Sequence, residues 1–384
     1  MSFSIFTTKM IEIACNGCII LMKTVSKLED NMLQVEVKDS YMWEEVHQQH
    51  LTIQRCVNEN QEKLKGIAEE VNKRGIKTVV FVGRGSSEHA MQVGRYFFEI
   101  ECGFLATICN PSVFTLYNSK MDLSNCLVIG MSQCGEAKDV YTVLQNAKQQ
   151  GAVVVSVTNS YPCLMSEIQE YYINMEIGKE NSYTAAKSYL AEVAILLELG
   201  AMIGGNQDKL ETILDCGELI KQCYEMEGEI RESLPMFRNA DSIMILGRGY
   251  SYAVALETEL KIQEASYTSG RAYSSADYQH GPIATTPRFT PFIFYLTDAK
   301  TDESTVMLIN KLRENFHISA LVVTNKKEYA SLGDYAVVVD EKFEGYKSVF
   351  ALTLFSQMFS CLLSFARGYH PDKPTLLSKV TVTY

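Results

Sequence analysis

Lys261 and Glu264 stand three residues apart in the run AVALETELKIQEA (residues 253–265), with Glu257 one turn further back. The run is built from strong helix formers, so all three side chains share one helix face. An ammonium beside carboxylates on one face is machinery for holding and moving a proton. The bland alternative is a solvated ion-pair stripe, worth about 0.2–0.5 kcal/mol per pair. A polar stretch of poor periodicity follows (267–279), read as a long loop, and it ends at Gln279-His280-Gly281-Pro282. A histidine at the end of such a loop, after a carboxylate-bearing helix, is a candidate for acid–base work.

Two other segments are rich in small hydroxyl residues. Gly85-Ser86-Ser87 opens one expected helix, and Ser132-Gln133-Cys134-Gly135 opens another. Helix N-termini carry unpaired N–H groups and a positive partial charge, so a phosphate is stabilised there without a lysine. Plain N-capping by serine is the competing reading. The dinucleotide fingerprint is incomplete, because residue 88 is Glu where a third glycine would stand, and no GK[ST] follows either glycine loop. A small phosphorylated metabolite fits these loops better than a nucleotide.

The elements that must position these residues alternate strand and helix. A helix is expected over 43–71, then strands at 77–82, 126–131 and 152–157, separated by helices at about 88–101 and 137–150. Gly83-Arg84-Gly85 recurs 164 residues on as Gly247-Arg248-Gly249, each followed within two residues by a serine. Val157-Thr158-Asn159 recurs 166 residues on as Val323-Thr324-Asn325. Matched offsets argue for a tandem duplication of one parallel βαβ unit, with the helical region 187–208 bridging the halves. The expected fold is α/β, with two tandem doubly wound parallel-sheet lobes. In such sheets ligands bind beyond the carboxyl ends of the strands.

The composition agrees. The 384 residues are 47% apolar and 21% charged, an ordinary globular balance. The net charge of −11, with no basic run, excludes a broad nucleic-acid or anionic-membrane footprint. Eleven scattered cysteines fit free thiols in a reducing cytoplasm. The one CxxC, Cys15 to Cys18, lacks a second ligand pair, so no metal site is expected. Residues 11–22 are mostly apolar but too short to span a bilayer, and residues 1–41 are read as a dispensable extension or the product of an upstream start codon, with Met32 and Met42 as alternative starts.

Gly247-Arg248-Gly249-Tyr250-Ser251, AVALETELKIQEASY and YQHGPIA together closely resemble the isomerase half of glucosamine-6-phosphate synthase. Ser132-Gln133-Cys134-Gly135-Glu136 is similar to that family's Ser-Gln-Ser-Gly-Glu-Thr phosphate loop. Met42-Trp43-Glu44-Glu45-Val46 resembles its opening Met-x-x-Glu-Ile, and Lys379-Val380-Thr381-Val382 its closing Lys-Ser-Val-Thr-Val. On these motifs the chain is identified as a tandem sugar-isomerase (SIS) domain protein. The implied domains are 42–210 with the helical bridge, 211–370, and a tail, 371–384, carrying a site lysine.

The resemblance implies residue roles. Glu264 would shuttle a proton between the first two sugar carbons. His280 would assist ring opening in the site of a neighbouring subunit of a homodimer. Lys261 is the helix lysine, and Lys379 would reach the open-chain sugar. Gly85, Ser86, Ser87, Ser132, Gln133, Cys134 and Gly135 would line the phosphate subsite, and Ala185 stands where the family has a sugar-contacting serine. Cys134 and Ala137 replace a serine and a threonine of the phosphate loop, trading strong donors for a weak thiol donor and a methyl group. The family's glutaminase domain has no counterpart in the forty residues before the match, so glutamine-independent deamination of an amino-sugar phosphate to a keto-sugar phosphate is the expected reaction. A fructosamine-6-phosphate deglycase and a non-catalytic sugar-phosphate sensor are the alternatives. No metal, nucleotide or other cofactor is expected, nor any nucleic-acid or membrane partner.

Overall fold

The structure is a computed structural model that describes residues 37–286 and 288–375. The reading of residues 1–36, with its CxxC, and that of Lys379 lie outside the described residues. The first half runs α1 (Tyr41–Lys73), β1 (Thr78–Val82), α2 (Ser86–Glu101), β2 (Leu105–Ile108), β3 (Leu127–Met131), α3 (Lys138–Gln149), β4 (Val153–Thr158), β5 (Tyr171–Asn174) and α4 (Lys187–Gly204). Three shorter helices, α5 (Gln207–Leu214), α6 (Cys216–Gln222) and α7 (Glu227–Phe237), lead into the second half. This comprises β6 (Ser242–Gly247), α8 (Tyr250–Ser266), β7 (Ser269–Ser274), β8 (Pro291–Leu296), α9 (Ala299–Phe316), β9 (Ser319–Thr324), β10 (Tyr335–Val338) and α10 (Ser348–Ala366).

Each half forms a five-stranded sheet with every pairing parallel. The first has the order β2-β1-β3-β4-β5, and the second, read in the same sense, β7-β6-β8-β9-β10. These are one topology, so the repeated glycine motifs sit at equivalent strand ends. The correspondence extends to the backbone. Gly85 (φ 57°, ψ −131°) and Gly249 (φ 67°, ψ −133°) adopt the same conformation ahead of α2 and α8, one that essentially only glycine occupies. In both sheets the order reverses beside the motif strand, between β1 and β3 and between β6 and β8, which opens a crevice at the carboxyl ends.

Strand alternation divides the core. Val79 and Phe81 face a central cluster shared by both halves, while Val80 and Val82 face an outer one with Val140, Val143 and Leu144 of α3. Ile243 and Ile245 likewise face the centre, while Met244 and Leu246 pack with Leu308 and Leu312 of α9. α4 and α10 run through the shared centre and are largely apolar on every face, as buried helices are, with Glu192 and Glu198 the charged exceptions within α4's apolar run. The span 345–366 is long and apolar enough to cross a membrane, yet 94% of its apolar window is buried inside the protein as a core helix.

Two expectations need correction, and a third is refined. The stretch 267–279 is not one long loop: Ser269–Ser274 pairs along β6 as the sheet's edge strand. Its small, weakly alternating residues hid it, and Gly270 explains the choice, since a Cβ there would lie 3.1 Å from the Glu259 backbone of the packed α8. The region 187–208 is largely helical as expected, with α4 ending where Gly205 turns left-handed (φ 65°) and Asn206 capping α5. Ser132-Gln133-Cys134-Gly135 does not itself open a helix. It forms a turn, with Gly135 N–H donating to the Ser132 carbonyl, and α3 begins at Lys138.

Candidate active site

α8 is the centre of the site. Glu257, Lys261 and Glu264 sit at i, i+4 and i+7, and they point between the two halves. The Lys261 ammonium is fully buried, 2.6 Å from Glu264 Oε2, 3.3 Å from Glu257 Oε1 and 3.2 Å from Ser86 Oγ. This is no solvated stripe. Glu257 is equally buried and takes the Ser86 hydroxyl at 2.9 Å and His89 Nδ1 at 2.8 Å, both from α2 of the other half. Glu264 keeps 22% of its side chain exposed, so it is the member of the trio that meets solvent.

The charges support one another. Burial pushes the Glu257 carboxyl up, but Lys261 and the hydrogen bonds from His89 and Ser86 outweigh it and hold the group below the usual carboxylate range. Burial pulls the other way on Lys261, and its two carboxylate neighbours raise it above the ordinary ammonium value. Glu257 thus stays ionised, and Lys261 stays charged beside Glu264. The arrangement presents one accessible carboxylate backed by a fixed cation, which suits a group that takes a proton and returns it.

The loop after β1 ends beside the loop after β3, because Val82 is in register with Gly130. Ser86 and Ser87 do not cap α2 in the ordinary way; Gly85 is the N-cap and no side chain caps the helix. Their hydroxyls instead donate to carboxylates, Ser86 to Glu257 and Ser87 to Glu192 of α4 at 2.8 Å. Ser132, Gln133 and Cys134 are half-buried at the end of β3, with Ser132 Oγ 3.8 Å from Cys134 Sγ. Gly135 is forced by contact as well as by φ (70°), since a Cβ there would lie 2.3 Å from Cys163 Sγ. Among the described residues the Gln133 and Cys134 N–H groups have no protein acceptor, and α3 behind them has no side-chain cap. The turn is a small concentration of positive dipole.

The segment before α4 is pinned by two carboxylates. Glu180 accepts from the Ala186 and Ser188 N–H groups at 3.1 and 3.0 Å and from the Ser188 hydroxyl at 2.7 Å. Glu45 of α1 accepts from the Ser182 N–H at 3.2 Å and lies 3.8 Å from Lys187 Nζ. Ala185, half-buried, is carried on this braced segment.

His280 is exposed at the end of a 3₁₀ turn, Asp277–His280, and shares no hydrogen bond or ion pair with the trio of its own chain. Two participants were not singled out from the sequence, His89 and Glu192. His89 follows Ser86 by three residues on α2, a spacing that puts both on one face, and Glu192 is a carboxylate inside an apolar helix. Burial pushes the Glu192 carboxyl up to about 8, against the opposing effect of the Ser87 hydrogen bond. Among the described residues no group of three or more His, Cys, Asp or Glu side chains is placed to hold a metal ion.

Comparison with known proteins agrees with this fold. Residues 236–366, which carry the second sheet and α8, match the sequence model of the SIS domain. The glutamine–fructose-6-phosphate aminotransferase [isomerizing] of Thermococcus kodakarensis is 26% identical over 355 residues, 89% of this chain and 58% of the relative. The chain therefore spans somewhat more than half the length of the curated relatives it matches. Two solved structures share the fold. The C-terminal domain of glucosamine-fructose-6-phosphate aminotransferase from Francisella tularensis superposes with a TM-score of 0.75 at 18% identity, covering 88% of this chain and 98% of that one. Glucosamine-6-phosphate deaminase from Thermotoga maritima superposes with a TM-score of 0.73 at 22% identity, covering 90% of this chain and all of the other.

Proposed function

We propose that the chain is a cytoplasmic phosphosugar isomerase-deaminase of tandem SIS architecture that converts an amino-sugar phosphate of the glucosamine-6-phosphate type to fructose-6-phosphate and ammonia. The observation that carries this reading is Glu264, the accessible carboxylate 2.6 Å from a fully buried Lys261. Fold similarity to a glucosamine-6-phosphate deaminase over that protein's whole length supports the choice of substrate.

In this reading the sugar phosphate is gripped by the Gln133 and Cys134 N–H groups with Ser132 and Ser87, and its first carbons lie against Glu264. With the ring opened, Glu264 removes the proton from the carbon bearing the amine and delivers it to the neighbouring aldehyde carbon. The carbon–nitrogen bond becomes a ketimine, and water hydrolyses it to the ketone and ammonia. One water is consumed, and no electrons leave the sugar. Lys261 anchors the Glu264 carboxyl at 2.6 Å. His280 of a second copy opens the ring across a dimer interface, and the resemblance assigns Lys379 to the open-chain sugar.

The test is direct. The protein is incubated with glucosamine-6-phosphate, and ammonia and fructose-6-phosphate are followed together. Glu264→Gln is expected to lower kcat by about 10²–10⁴-fold, the usual worth of a positioned acid–base group. Amino-acid release from a fructosamine phosphate without deamination would move the assignment to a deglycase. Tight binding across a panel of phosphosugars with no turnover would make the protein a sensor and refute the enzyme reading.

A further inference from the structure

Ser87 is asked to do two things with one proton. A serine hydroxyl donates once, and Ser87 Oγ lies 2.8 Å from Glu192 Oε1, in a hydrogen bond whose proton either partner can supply. Ser87 is itself half-buried at the start of α2. If Glu192 is ionised, the hydroxyl proton stays with the carboxylate, and Ser87 meets an incoming phosphate only with lone pairs. If Glu192 carries a proton, it donates to Ser87 Oγ, and the hydroxyl proton turns outward. The direction of the hydrogen bond decides whether Ser87 attracts or repels an anion.

We propose that Glu192 is a positioning residue for phosphate binding: in its neutral form it turns the Ser87 hydroxyl outward as a donor, and its ionisation withdraws that donor and places a negative charge behind it. The inference rests on the reading that Ser87 contacts the phosphate of the sugar. The surroundings favour the neutral form. Glu192 is 1% exposed. It is faced by Glu180 from the segment before α4 and by Glu257 from α8, both of which disfavour a further negative charge. Lys261 and His89 are committed to Glu257, and on the α1 side Lys187 is paired with Glu45. Burial holds the group near a value of about 8, so it is mostly protonated at neutral pH and ionises under mildly alkaline conditions.

The experiment measures the Kd of fructose-6-phosphate by calorimetry from pH 7 to 9.5. That ligand has no amine to titrate, and its phosphate is already doubly ionised over the range. The native protein is expected to lose affinity above pH 8, approaching about tenfold per pH unit, the limit for one linked proton. Glu192→Gln, whose amide donates to Ser87 at every pH, is expected to bind with a Kd that no longer changes across the range. Ser87→Ala is expected to bind more weakly at pH 7 and to show a shallower alkaline loss. A native Kd that is measurable at pH 7 and flat to 9.5 overturns the inference and leaves the phosphosugar reading intact. So does an unchanged alkaline loss in Glu192→Gln. A native protein that binds no fructose-6-phosphate at any pH overturns the reading and the inference together.

Discussion

Replacing Lys261 by methionine isolates the electrostatics on which the site depends. Methionine keeps most of the side-chain volume, so packing changes little and the loss is mainly of charge. Lys261 and Glu257 are both fully buried, with Nζ 3.3 Å from Oε1. At the effective dielectric of roughly 20 that suits protein sites, two unit charges at that separation attract by about 5 kcal/mol. Removing the cation leaves Glu257 with the Ser86 and His89 donors only. Breaking a buried pair in this way costs about 3–5 kcal/mol, because a buried charge is left uncompensated. The retained donors put the expected value at the lower end.

The assay is a double-mutant cycle in urea, followed by circular dichroism, with Lys261→Met, Glu257→Gln and the double variant. The double variant is expected to recover about 2–3 kcal/mol of the summed single costs, since it removes both charges at once. The pH behaviour has a definite sign. Glu257 is lowered from 4.5, so its contribution is complete above that value and fades only as pH falls through the lowered one. Lys261 is raised from 10.5, so its contribution is complete below that value and fades only above it. The coupling should therefore be flat between about pH 5 and 10. Single costs that add within about 0.5 kcal/mol would show that the two charges do not sense each other, and the electrostatic account of Glu264 would fall with them.

Two other perturbations separate scaffold from site. Glu198 of α4 is fully buried with neither carboxyl oxygen hydrogen-bonded, and burial pushes it up to about 8. The folded state therefore holds a proton that the unfolded chain releases above about 4.5, so stability falls as pH rises toward 8, by about 1.4 kcal/mol per pH unit for this group. Glu198→Gln should remove about 2–3 kcal/mol of the stability loss between pH 5 and pH 7, measured by urea unfolding at the two values; an unchanged loss refutes the assignment. Cys134→Ser restores a hydroxyl donor in the turn after β3 and should tighten fructose-6-phosphate binding by about 3–10-fold, the worth of one net hydrogen bond. Unchanged or weaker binding in calorimetry would show that residue 134 does not face the ligand.

The parallel strands and the duplication were legible because buried β-branched runs and paired glycine motifs are local signals. Gly85 and Gly249 announce the same backbone turn whatever surrounds them. The edge strand Ser269–Ser274 was not legible, because its stability comes from pairing with β6 and from the close approach that Gly270 permits to α8. The trio on α8 was visible as spacing, but not its burial: the same Glu-Lys-Glu pattern on an exposed helix would be solvated. That decision belongs to α2, 171 residues earlier by the Ser86–Glu257 bond. His89 and Glu192 were missed for the same reason, since each gains its meaning from a partner on another element. A carboxylate inside the apolar run of α4 was the available clue, and Glu198 shows that such a clue does not by itself separate a site residue from a scaffold residue.

The two halves share a topology but have divided the chemistry, and the residue correspondence shows how. At the repeat offset of 164, Glu257, Lys261 and Glu264 of α8 correspond to Val93, Phe97 and Ile100 of α2. The first half thus has apolar residues at the three positions where the second has ionisable groups. The strand-end crevices diverged the opposite way. After β8 the equivalent of the Ser132 turn is Thr297-Asp298, and the start of α9 is filled by the protein's own carboxylates: Asp298 accepts from the Lys300 N–H at 3.0 Å and Glu344 from the Ala299 N–H at 3.3 Å. Asp302, buried just behind, accepts from the Asp298 N–H. An anion approaching that helix meets carboxylates, whereas one approaching the turn after β3 meets unpaired N–H groups. On the proposed reading, the first half grips the phosphate and the second moves the proton. The contacts from Ser86 and His89 to Glu257 then fix the distance between the two tasks, and the site needs both copies of the fold in a single chain.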